Sequence, residues 1–303
     1  MNILVTGGAG YVGWSVVQSL ARQPEITTIK VFDNFSRGNY GIVLEQPTHA
    51  GKLQIHVDDI LNSHGLRAAM DGMDCVCHLA ALAPSPFSDE NPHAFDQLNH
   101  WGTAEVCYAC EDLDIKRLIY VSSGAVYGFG DSAFSNQSTP LPATAYGSSK
   151  LAGEQHVKRL SEKLETAIMR SGTVYGINPV ARFDTFINRF VLHAALGRPL
   201  HIHGSGQQAR PVIHVERLAE AVTQSVLAQS PTGLMDNVDL NISVRSVART
   251  VQNLKPGIDL IFTNQQARLR DLKILPAGNQ GIDEEATTNF ERDIRDILAR
   301  IEL

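Results

Sequence analysis

Through the first half of the chain, short apolar runs alternate with longer amphipathic stretches. The runs Asn2–Thr6, Thr28–Phe32, Leu53–Val57, Cys75–Leu79, Leu118–Ser122 and Thr166–Arg170 are rich in Val, Ile and Leu and largely lack polar alternation. Strands covered on both faces read this way, whereas a strand with one wet face alternates. Between them the spacing of apolar positions predicts helices over Tyr11–Arg22, His64–Ala69, His93–Asp112 and Ala145–Leu164. Such alternation predicts an α/β fold built on a doubly wound parallel sheet. Beyond Gly172 the rhythm loosens: Pro179, Pro199, Pro211 and Pro231 punctuate shorter elements, and Gly204-Ser205-Gly206 reads as a loop. Phe183–Leu196 and Val215–Ala228 keep a helical pattern. Asp283–Leu303 reads as a terminal helix with Ile294, Leu298 and Ile301 on one stripe.

Composition narrows the class. At 303 residues the chain can bury a large core without disulfide or metal staples. A formal charge of −6 gives no general attraction to phosphate backbones or anionic lipid, so nucleic-acid and membrane partners are not expected. The apolar runs fall short of the roughly 18 residues that a membrane span needs. The opening Met1-Asn2-Ile3-Leu4-Val5 has no basic leader, so a cytoplasmic location is expected. Cys75 and Cys77 alternate along a strand, and Cys107 and Cys110 stand at helical spacing. They read as small buried hydrophobes, and no metal is expected. His201, His203 and His214 read as structural or substrate-contacting residues, the first two on one strand face.

The first concentrated chemistry is Thr6-Gly7-Gly8-Ala9-Gly10-Tyr11-Val12-Gly13, which closes the first strand and opens the first helix. Gly7, Gly10 and Gly13 give the spacing GxxGxxG. A tight strand-to-helix turn needs residues without a β-carbon, and the helix N-terminus offers free N–H groups and a positive dipole end to a pyrophosphate. The second strand ends at Asp33, 20 residues after Gly13. A carboxylate there accepts from both hydroxyls of an adenosine ribose and repels a 2′-phosphate, which favours NAD over NADP; Arg37 nearby weighs the other way. The sheet is therefore expected to be of Rossmann type.

Tyr146-Gly147-Ser148-Ser149-Lys150 supplies a phenol and an ammonium at i, i+4, on one helix face and about 6 Å apart along the axis. An ammonium beside a phenol stabilises phenolate, a requirement for a base that takes a proton from an alcohol near neutral pH. Ser122-Ser123-Gly124-Ala125-Val126-Tyr127-Gly128 closes a strand and places hydroxyls at the carboxyl edge of the sheet, where open α/β folds bind ligands.

Together these segments resemble the extended short-chain dehydrogenase/reductase superfamily, in particular its NAD-dependent nucleotide-sugar epimerase/dehydratase family. Further family-like stretches are Asp33-Asn34-Phe35-Ser36-Arg37-Gly38, Asp59-Ile60, His78-Leu79-Ala80-Ala81, Asn99-His100-Trp101-Gly102-Thr103 and Arg170-Ser171-Gly172-Thr173-Val174-Tyr175-Gly176. The resemblance runs from Met1 to about Tyr175, weakens to Glu216 and is poor afterwards. It implies an NAD-binding domain over 1–171, rejoined by part of 205–230, and a smaller substrate-binding α/β domain over 172–303.

The resemblance also implies roles. Tyr11 and Val12 join the glycines at the cofactor, with Asn34 and Ser171 as further cofactor contacts. Asp59 and Ile60 would meet adenine, and Leu79, Ala80 and Ala81 would line the phosphate and ribose region. Asn99 would hold the cofactor side of the site. Ser123, Tyr146 and Lys150 would form the catalytic triad, with Lys150 also on the nicotinamide ribose. Ser123 is preferred to Ser122 because the family's catalytic hydroxyl stands three residues before Val-Tyr. Thr173, Gln207 and Arg210 would contact a nucleotide diphosphate sugar, Arg210 as its diphosphate grip, with Arg268 or Arg270 as a second arginine. Pro211 and Glu216 depart from the family pattern. Relatives pair the helices His93–Asp112 and Ala145–Leu164 across a two-fold axis, which implies a homodimer.

The two residues after Ser123 separate the branches. Dehydratases of this family carry acids there and decarboxylating relatives a Glu, whereas this chain has Gly124 and Ala125, which cannot transfer protons. The expectation is C4 epimerisation through a transient 4-keto sugar with tightly held NAD. The alternative is an NAD(P)-dependent reductase or dehydrogenase acting on a non-nucleotide alcohol or ketone. A third reading, a non-enzymatic dinucleotide sensor or scaffold, has no need of a phenol–ammonium pair.

Overall fold

The computed structural model describes residues 1–44, 50–84, 91–228, 233–263, 270–276 and 284–301. Six strands fall where apolar runs predict them: β1 (Asn2–Thr6), β2 (Thr28–Asp33), β3 (Leu53–Val57), β4 (Cys75–His78), β5 (Arg117–Ser123) and β6 (Glu165–Ser171). A later strand, β10 (Leu234–Asn237), pairs in parallel with β6. The sheet order is β10-β6-β5-β4-β1-β2-β3. The chain steps outward from β1 to β3 and restarts at β4 on the other side. The carboxyl ends of β1 and β4 therefore flank the crevice where such sheets bind ligands.

Side chains alternate across the sheet, so each strand feeds two cores. Ile3, Val5, Ile29 and Val31 pack with Trp14, Val17 and Leu20 of α1 (Tyr11–Ala21) and with Val222 and Val226 of α8 (Val215–Leu227). Leu4, Phe32, Leu118 and Ile168 pack on the opposite side with α3 (Ser63–Met70), α5 (Gly102–Asp112) and α6 (Ala145–Leu160). Burial on both faces explains why the inner strands lack polar alternation; β3, at the sheet edge, leaves Ile55 and Val57 exposed. Short helical turns α2 (Gly41–Leu44) and α4 (Pro92–Phe95) precede longer elements.

Two helix readings change. The stretch read as His93–Asp112 is not one helix: a wider π turn over Asp96–Trp101 separates α4 from α5. The helix read as Ala145–Leu164 stops at Leu160, whose carbonyl accepts from both Lys163 and Leu164 in a closing turn.

The remaining chain builds a third core. A three-stranded sheet orders β11 (Leu240–Ser243), β9 (Ala209–His214) and β7 (Thr173–Tyr175), and β8 (Leu200–His203) pairs with β12 (Leu260–Thr263). Helices α7 (Phe186–Ala195), α9 (Val244–Leu254) and α10 (Glu284–Ile301) pack there through Phe190, Val247, Val251, Ile294 and Leu298. The ends of the expected terminal helix lie outside the described residues. α8 packs on α1, and β10 joins the large sheet. Among the described residues no helix is long and apolar enough to cross a membrane.

Candidate active site

A cavity of about 760 Å³ opens along the carboxyl ends of the central strands. Its walls include Gly7, Gly10, Tyr11, Val12 and Gly13 from the first turn of α1, and Leu79, Ala80 and Ala81 after β4. Gly7 adopts φ +70°, and a β-carbon there would stand 2.6 Å from the Ala80 nitrogen. At Gly13 a β-carbon would stand 2.0 Å from the Gly7 carbonyl oxygen. Both positions need glycine for the helix to begin this close to the strand exits. The Tyr11 phenol donates to the Gly176 carbonyl at 2.7 Å, and burial raises its pKa; its side chain ties α1 to the end of β7.

Asp33 closes β2 with one carboxylate oxygen accepting from Ala9 N–H at 3.0 Å and the other from Phe35 N–H at 2.9 Å. Burial pushes its pKa up and these two bonds oppose the shift. Beyond it, the Asn34 amide donates to Asp59 at 2.8 Å, and Ile60 completes this end of the cavity. Asn99 is buried behind the wall and does not line it. It bonds both backbone groups of Leu82 (2.8 and 2.9 Å) and donates to Ser149 Oγ at 3.1 Å. The π turn carrying Asn99 thus fixes the segment after Ala81 against α6, a use of local helix widening seen at functional sites.

Ser123 ends β5, where its Oγ accepts from Ala125 N–H at 3.2 Å. Thr144 caps α6 through Gly147 N–H at 3.0 Å and sets Tyr146 in the first turn, edge-on to Phe95. Burial raises the Tyr146 pKa, while Ser123 and the Arg182 guanidinium pull it down. Lys150 is buried, which lowers its pKa to about 7 against the opposing influence of Glu154. Ser123, Tyr146, Lys150 and Ser171 all face the same cavity.

The structure tests whether this cavity suits a dinucleotide. The glycine cradle leaves room at a helix N-terminus, both Asp33 oxygens sit at the end of β2, and the hydroxyl–phenol–lysine group lies at the other end. These residues fit NAD.

The profile of the NAD dependent epimerase/dehydratase family matches residues 3–242. The chain belongs to this family. It is an enzyme of the extended short-chain dehydrogenase/reductase type, with NAD as its cofactor. It is 28% identical over 228 residues to an uncharacterized UDP-glucose epimerase, YtcB, of Bacillus subtilis, covering 74% of this chain and 72% of that one. It is 30% identical over 265 residues to the dTDP-D-glucose 4,6-dehydratase of Mus musculus, covering 86% and 73%. The fold superposes with a TM-score of 0.85 on a UDP-N-acetylglucosamine 4-epimerase from Methanobrevibacter ruminantium, solved with UDP-N-acetylmuramic acid, at 24% identity and coverage of 98% and 97%.

Toward the other end of this family cavity stand Thr173 and Arg210. The Arg210 guanidinium donates to the carbonyls of Ala209 (2.8 Å) and Arg270 (2.7 Å) and lies over Phe129. Gln207 is exposed and outside the cavity wall. Arg270 is exposed, and Arg268 lies outside the described residues. Pattern reading missed Arg182 and Asp184, which line the cavity as an ion pair at 2.7 Å; Arg182 also donates to the Pro84 carbonyl at 3.1 Å. No spacing rule marks them, because the loop after β7 brings them in.

The four cysteines are free, buried thiols; burial raises the Cys107 pKa to about 12. His203 bonds Thr263 Oγ1, and His214 lies edge-on to Tyr175.

Proposed function

We propose that this enzyme epimerises nucleotide diphosphate sugars at C4. The observation that carries the reading is the wall beside Ser123. Gly124 and Ala125 supply no acid, and a β-carbon on Gly124 would stand 2.4 Å from Ile274 Cδ1. Ile274 thus fills the space in which a longer side chain at 124 would begin. Among the described residues, the carboxylates lining the cavity are Asp33, Asp58, Asp59 and Asp184. The first three lie at the cofactor end and Asp184 is paired with Arg182. Dehydration needs a further acid and base beside the sugar, whereas epimerisation needs one proton taken and returned.

In this reading Ser123 orients the C4 oxygen and Tyr146 takes its proton, with Lys150 charge favouring the phenolate. The 4-keto sugar turns about its link to the diphosphate so that the other face of C4 is presented for reduction, and Tyr146 returns the proton to the C4 oxygen. Arg210 supplies charge for the diphosphate. Bound NAD supplies a two-electron acceptor that each cycle restores.

Purified protein given UDP-, GDP- and dTDP-hexoses without added cofactor tests this. The expected product is the C4 epimer with its C4 deuterium label retained. A 4-keto-6-deoxy sugar, or turnover that consumes external NADH, overturns it.

We also propose a homodimer through α5 and α6. Trp101 and Tyr108 stand exposed on this face, with His100 stacked on Trp101 and His156 beside His100. Exposed aromatics of this kind favour a protein partner.

A further inference from the structure

Lys150 retains 2% of its accessible surface, so its ammonium must be stabilised by the protein. The neighbouring carboxylate one turn along α6, Glu154, is already engaged: it accepts from Ser122 Oγ and from two nitrogens of Arg170. What the Lys150 Nζ meets instead is the face of Tyr120, 4.2 Å from the ring centroid.

We propose that Tyr120 is the positioning residue of the catalytic lysine, its ring face holding the Lys150 ammonium charged at the cavity wall. The negative face of an aromatic ring attracts a cation, most strongly where water is excluded. Tyr120 is fully buried at the middle of β5 and is itself held from three sides. Its hydroxyl donates to the Lys150 carbonyl at 3.3 Å. Gly153 makes room for that hydroxyl, since a β-carbon there would stand 2.6 Å from it. His78 stacks on the ring, centroids 5.5 Å apart, and is clamped by Thr6 Oγ1 (2.7 Å) and Thr103 Oγ1 (2.9 Å).

The other groups around this lysine leave the ring as its seat. His78 from β4 is neutral, its pKa lowered to about 3 by burial. The Cys107 thiol from α5 is raised to about 12 and uncharged. Tyr146 and Glu154 share α6 with the lysine; Glu154 also favours its charged form, although Arg170 from β6 and Lys158 from α6 pair with that carboxylate. A Leu at 120 would stay apolar but would offer the ammonium no negative face. With the Lys150 pKa lowered to about 7 by burial, a modest loss of that attraction reduces its charge near neutral pH.

The inference rests on the catalytic role given to Lys150 above, so the test reads NADH affinity as well as turnover. Full-length protein is titrated with NADH by nicotinamide fluorescence from pH 5.5 to 9, and epimerase turnover is followed over the same range. In Tyr120→Leu the alkaline limb of both should fall about one pH unit earlier, the size expected for a desolvated cation–ring contact. Tyr120→Phe should leave both limbs in place. Phenylalanines carrying one to five ring fluorines at position 120 keep the shape while weakening the face, and should move the limb stepwise; they decide the matter if the leucine variant does not fold. A limb that ignores fluorination, or moves as far in Tyr120→Phe as in Tyr120→Leu, overturns the proposal. A stepwise limb in NADH affinity without any C4 epimerisation would support Tyr120 and refute only the proposed reaction.

Discussion

Glu154 and Arg170 form a two-bonded carboxylate–guanidinium pair with almost no exposed surface, Nε to Oε1 at 2.8 Å and Nη2 to Oε2 at 2.6 Å. Glu154 belongs to the helix of Tyr146 and Lys150, and Arg170 to the strand next to the one ending in Ser123. Ser122 donates to the same carboxylate at 2.7 Å. The pair therefore locks the phenol and lysine to the serine. The Arg170 guanidinium also lies 4.7 Å over the Tyr127 ring, and Tyr127 bonds Asp236 at 2.7 Å, so the lock reaches β10.

Breaking one half should be worse than removing both. Arg170→Met leaves Glu154 charged and buried, and urea unfolding should show a loss of about 3–5 kcal/mol. Adding Glu154→Gln should recover part of that loss. A double variant no more stable than the single one would mean that the pair does not act as a unit.

Tyr146→Phe should lower kcat by about 10²- to 10⁴-fold, the usual range for a lost general acid/base. NADH affinity should change little, because the variant keeps the ring against Phe95. Stopped-flow turnover and NADH fluorescence on one preparation separate the two effects.

His78 sets an acid limit on stability. Burial holds its pKa at about 3 in the fold, against about 6.5 in an unfolded chain. Between those values the unfolded state binds more protons, so His78's contribution is complete above about pH 6.5. It is lost as pH falls toward 3, by up to about 1.4 kcal/mol per pH unit. His78→Gln should flatten this acid limb in denaturant midpoints measured from pH 7 to 4. An unchanged limb would assign it to other groups.

Trp101 should report assembly. It is 54% exposed at the end of the π turn, just before α5. Trp101→Asp should convert a dimer into a monomer by light scattering at micromolar concentration, with the fold retained by circular dichroism. A wild-type monomer at that concentration would remove the dimer.

The inner strands of the large sheet were legible because burial on both faces writes itself as apolar runs, whereas the edge strand β3 leaves Ile55 and Val57 exposed and β10 was not anticipated. The later elements were harder. Val244, Val247, Ala248, Val251 and Leu254 do stand at helical spacing, but α9 was hidden among prolines, glycines and strands of four residues or so. The π turn at Asn99 has no separate signature, since its residues also fit an ordinary helix; the bonds to Leu82 decide it.

By itself the sequence determined the strand–helix alternation of the parallel sheet, the glycine turn, Asp33 at the end of β2 and the i, i+4 spacing of Tyr146 and Lys150, because each depends on local spacing; Ser123, on another element, was singled out by the family resemblance. Tertiary structure alone decided that Lys150 rests on Tyr120, that Arg182 and Asp184 enter the cavity, and that Ile274 occupies the space beside Gly124. Those relationships join residues 30 to 150 positions apart, and desolvation and steric fit act through space, where no spacing along the chain records them.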